Sequence, residues 1–90
     1  MTDNLSDVPD EKLNGLGGLD WEQTPELIET DGSVFAVGWD EYGLFNIMPV
    51  SVRQNEALKG GWSVRATGTP ATSFHRGNID QLLDAIEAGL

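Results

Sequence analysis

His75 is the only histidine in a chain of 90 residues that has no cysteine. A structural zinc site needs four nitrogen or sulfur ligands, so these residues cannot supply one, and without thiols there is no disulfide framework either. Ser73 stands two positions before His75 and, with any of the 15 acids, nominally completes a hydrolytic triad. Residues two apart on a strand share a face, however, and nothing around Ser73 forms the strained turn that exposes a nucleophile. A small hydrolase using His75 is therefore the last of three functional readings, and the chain is expected not to be an enzyme.

Gly15, Gly17 and Gly18 around Leu16 share only their glycines with a phosphate-binding loop, because no strand leads in and no Lys-Ser or Lys-Thr closes the run. The carboxylates Asp7, Asp10 and Glu11, and separately Asp31, Asp40 and Glu41, lack the alternating ligands and terminal Glu of a calcium loop. They read as solvated surface, and neither metal nor cofactor is expected.

Charge is unevenly distributed. The formal net charge is −10, and residues 1–31 hold nine acids and one base, a net of −8. Between positions 53 and 76 the sign reverses, with Arg53, Lys59, Arg65 and Arg76 against Glu56. An acidic field repels nucleic-acid phosphate and attracts basic surfaces. The expected function is thus a small acidic protein-binding module, an inhibitor, adaptor or accessory factor that docks on a basic partner surface, with mimicry of nucleic-acid charge as a refinement. Asp31, Asp40 and Glu41 are its candidate contacts. Tyr42 joins them because an aromatic that projects from a turn between Glu41 and Gly43 suits a basic, partly apolar patch. The alternative is a single-stranded nucleic-acid binder in which Arg53, Lys59, Arg65 and Arg76, interleaved with Trp62 and Phe74, form a stacking platform. Two bland explanations of the acidity stand beside these readings: a salt-adapted source and a solvated leader.

The elements that must position these residues follow from the pattern. Residues 1–24 carry Pro9, three glycines and leucines at 5, 13, 16 and 19 without a sustained period. They read as an acidic irregular N-terminal arm with at most one helical turn near Pro9, either trailing or tethered by its leucines and Trp21. Residues 25–90 read as a single small α+β domain. Asp31-Gly32 between two apolar runs signals a hairpin, with a short helix from Pro25 to Thr30 as the competing assignment. Asp40 to Gly43 makes a second turn, and Leu44 to Met48 returns as a strand that Pro49 limits. Val50 to Gly61 is a connector, a turn of helix or a loop. Trp62, Val64 and Ala66 alternate with Ser63, Arg65 and Thr67 across a half-buried strand, and Ala71 to His75 adds a short edge strand.

At the C-terminus Asn78 is placed to cap a helix, with Gln81 reaching back. Ile79, Leu82, Leu83, Ile86 and Leu90 form one apolar stripe directed at the sheet. The expected architecture is an antiparallel meander of three to five strands packed by that helix. The acidic start carries neither the basic residues nor the apolar run of a signal peptide, and no stretch is apolar enough to cross a membrane, which points to the cytoplasm.

Overall fold

The computed structural model describes residues 5–58, 61–75 and 77–88. The fold is α+β. Five antiparallel strands, β1 (Glu26–Thr30), β2 (Ser33–Trp39), β3 (Leu44–Gln54), β4 (Trp62–Ala66) and β5 (Ala71–His75), precede one helix, α1 (Ile79–Glu87). The order β1-β2-β3-β4 is a meander, and β5 returns to pair with the first half of β3. Asp31 and Gly32 both take positive φ, 43° and 84°, as a two-residue hairpin turn with the twist of its strands requires. This favours the hairpin over the competing helix at residues 25–30.

β3 runs eleven residues, through Pro49 rather than stopping at it. On one side Phe35 of β2 faces Pro49. On the other, β5 leaves β3 at Ile47 and β4 joins it at Val50, so Pro49 lies at the seam between two partner strands. Its carbonyl accepts the Thr67 N–H across that seam at 2.9 Å. Backbone N–H and C=O of one strand residue point the same way, so the donor that proline lacks falls where no continuous ladder needs it. The first five residues of the stretch read as a connector are thus strand, and a turn follows in which Asn55 Oδ1 accepts the Ala57 N–H.

Strand alternation divides the core in two. Phe35, Val37 and Ile47 meet Leu82 and Ile86 of α1 on one face. Ala36, Met48 and Val50 meet Leu16 on the other, and Val8 and Leu13 cover Trp62 beside them. The arm is therefore ordered against the sheet. Three short 3₁₀ turns, at Leu5–Asp7, Asp10–Lys12 and Leu16–Gly18, replace the single turn expected. Its end is pinned by Glu22 N–H to the Trp39 carbonyl at 2.9 Å, and the Trp21 ring lies over Gly38.

Two expectations for α1 need correction. Asn78 occupies the N-cap position but makes no side-chain cap hydrogen bond, and only its backbone engages, the carbonyl accepting the Leu82 N–H and the N–H donating to the His75 carbonyl. The apolar stripe is split: Leu82 and Ile86 are buried, whereas Ile79 and Leu83 remain 45% and 48% exposed. At 100° per residue the four side chains span a wide arc, and the helix packs closest to β5, leaving the 79 and 83 side unopposed. Leu90 lies outside the described residues.

Candidate functional site

Asp40 directly follows β2 and organises the turn there. Its Oδ1 accepts N–H groups from Tyr42 at 2.9 Å and Leu44 at 3.2 Å, and its Oδ2 accepts from Asn46 Nδ2 at 3.4 Å. Partial burial works against ionisation, but these donors outweigh it and hold the carboxyl below the ordinary aspartate range. Asp40 is committed to the turn. The neighbours it positions are not: Glu41 is exposed, and Tyr42 is 79% exposed, projecting from the turn rather than packing over it.

Asp31 occupies the opposite end of β2, and seven strand residues separate it from Asp40 by roughly 20 Å. The sequence-derived set Asp31, Asp40, Glu41 and Tyr42 is therefore two turns at two ends of the molecule, with Glu41 and Tyr42 as its outward-facing pair.

Next to that pair lies a surface that sequence reasoning did not assemble. An apolar groove of about 340 Å³ runs between α1 and β1, floored by Ile28, Trp39 and Phe45 and walled by Ile79 and Leu83. The Trp39 and Phe45 rings meet edge to face with centroids 6.0 Å apart, which fixes the floor. Trp39 also borders a hollow formed with Glu22, Asp40 and Glu41, and Glu26 stands at the groove's edge. The groove is thus apolar within and acidic at the rim. The signal available in the sequence was the second half of the helix stripe, Ile79 and Leu83, but its exposure is decided by where α1 lands on the sheet.

No protein-family model, curated protein or solved structure matches the chain.

Of the basic set, Arg53 and Arg65 are brought together, while Lys59 and Arg76 lie outside the described residues. Ser51 faces Arg65 and Arg53 faces Ser63 across β3 and β4, so the two arginines are diagonal neighbours on one face. Trp62 is on the other face, 6% exposed beneath the arm, and Phe74 packs into the α1 core. The aromatics of the proposed stacking platform are therefore turned away from its cations. His75 is exposed at the end of β5 opposite Leu44. Among the described residues no three His, Asp or Glu side chains gather as metal ligands, and no helix is long and apolar enough to cross a membrane.

Proposed function

We propose that the chain is a non-enzymatic, cytoplasmic protein-binding module whose groove between α1 and β1 takes a basic segment of a partner carrying an apolar anchor. The observation that carries this reading is the pair Ile79 and Leu83, held half exposed over an aromatic floor with Glu22, Glu26 and Glu41 around it. Exposed leucine and isoleucine on a rigid helix offer desolvation energy, and the acids select a partner of opposite charge and speed its encounter. Tyr42 extends the contact surface past Trp39. Asp31 supports the same long-range attraction from the far end of the sheet without touching the groove.

Titration of the isotope-labelled chain with a lysine- and leucine-rich amphipathic peptide tests this. Amide shifts are expected in α1 and around residues 39–44, weakening steeply with salt. Leu83→Ser should abolish them while leaving the circular dichroism spectrum intact. Binding that survives Leu83→Ser, or equal binding of a glutamate- and leucine-rich peptide, would exclude the groove as the docking site.

A further inference from the structure

The second half of β3 and all of β4 extend past the end of β2 as a two-stranded ribbon, since the last β2 pairing with β3 is Val34 to Val50. Its two faces differ completely. On one, Val52, Val64 and Trp62 are packed under Val8 and Leu13 of the arm, which stiffens the ribbon. The other is uncovered and forms a groove of about 630 Å³ lined by Ser51, Arg53, Asn55, Ser63 and Arg65, with Thr67 at its end.

We infer that this groove binds a phosphorylated, hydroxyl-rich small molecule, of the sugar-phosphate class. In a chain of net charge −10, no carboxylate lines the groove, and neither arginine has an ion-pair partner among the described residues. The register sets the two guanidinium stems about 7 Å apart, close enough for both to engage one dianionic phosphate by paired N–H donors. The remaining lining groups are hydroxyls and side-chain amides, which both donate and accept, as a polyol requires. Among the described residues no aromatic or aliphatic wall is present to hold a nucleobase. Trp62 is buried on the reverse face, and the overall acidity opposes a polyanion far more than a single phosphate. The site is independent of the α1 groove, so it neither needs nor strengthens the peptide-docking reading.

Calorimetric titration of the full chain at low ionic strength with glucose 6-phosphate, inorganic phosphate and a single-stranded oligonucleotide tests the assignment, with amide spectra recorded in parallel. Glucose 6-phosphate is expected to bind more tightly than inorganic phosphate, with shifts confined to β3 and β4. Arg53→Gln and Arg65→Gln should each weaken it at least tenfold, and Arg65→Lys less. Both arginines are exposed, so these variants keep their fold, which their own amide spectra verify. Absence of binding, equal affinity for inorganic phosphate, retention of affinity in both glutamine variants, or tighter, length-dependent binding of the oligonucleotide would each overturn the proposal.

Discussion

The face of the sheet carrying Ala36, Met48 and Val50 is closed by residues of the arm, whereas the face carrying Phe35, Val37 and Ile47 is closed only where α1 crosses it. The difference comes from the covering segments themselves. The arm is a string of 3₁₀ turns that bends with the twisted surface and sets down Val8, Leu13 and Leu16 in turn. A helix is a straight rod about 10 Å across, and strands lie about 4.8 Å apart, so one helix cannot cover four strands abreast. Bare flanks on the α1 face are a geometric consequence. Both proposed surfaces lie there, one apolar with an acidic rim and one polar with two arginines. The irregular arm covers much of the back, and the two surfaces proposed for binding are both on the front.

If the two covers are equal parts of one core, removing side chains from either should unfold the domain alike. Leu82→Ala under α1 and Leu16→Ala under the arm are each expected to cost about 2–5 kcal/mol in urea unfolding, since both are almost wholly buried. Leu83→Ala, one residue from Leu82 but on the open flank, should stay within about 1 kcal/mol of the parent. A Leu16→Ala variant with an unchanged midpoint would break the comparison by showing that the arm only rests on the sheet.

The next effect tests how closely the back is fitted. A methyl group at position 38 would stand 2.8 Å from Trp21 Cε3 and 3.3 Å from the Pro25 backbone, so Gly38→Ala should destabilise by about 1–3 kcal/mol. Part of the clash is with the Trp21 side chain. Combined with Trp21→Ala, the Gly38→Ala penalty should shrink, and a double-mutant cycle that shows simple additivity would mean that the ring does not seal this strand.

These contrasts also mark what the sequence could disclose. The Asp31-Gly32 turn, the alternation around Trp62 and the helix after Asn78 are local signals, legible because one or a few neighbouring residues determine them. The arm escaped because 3₁₀ turns impose no 3.6-residue period, so leucines at 13, 16 and 19 look scattered although Leu13 and Leu16 are buried. Pro49 misled because its harmlessness depends on a seam made by strands more than a dozen residues downstream. The groove was invisible for the same reason: Trp39 and Leu83 come to line one groove through the landing of α1, and no local rule tells which half of an apolar stripe will be left open. The separation of Arg65 from Trp62 was legible in the alternation of their strand, whereas the placement of Arg53 beside Arg65 emerged only with the register.

The smallest expected effects concern the turn at the front, where Asp40 holds the backbone and Tyr42 faces outward. The folded-state pKa of Asp40 is depressed, so its contribution to stability is complete above the ordinary aspartate value of about 3.9 and is lost as pH falls through the folded value. Asp40→Asn keeps one oxygen that can accept the Tyr42 and Leu44 N–H groups but removes this titration. At neutral pH the variant should be slightly less stable than the parent, and the gap should narrow toward pH 3, as urea midpoints at the two pH values would show. A gap independent of pH would mean that the carboxylate's charge does not stabilise the turn. Tyr42→Ala, in contrast, removes a side chain that is 79% exposed and should shift stability by no more than about 0.5 kcal/mol. Its consequence belongs to binding: the amphipathic peptide should dissociate faster with little change in association rate, because an aromatic contact at the rim stabilises the formed complex while charge governs encounter. Slower association with unchanged dissociation would instead place Tyr42 outside the contact and leave Glu41 alone to represent the turn.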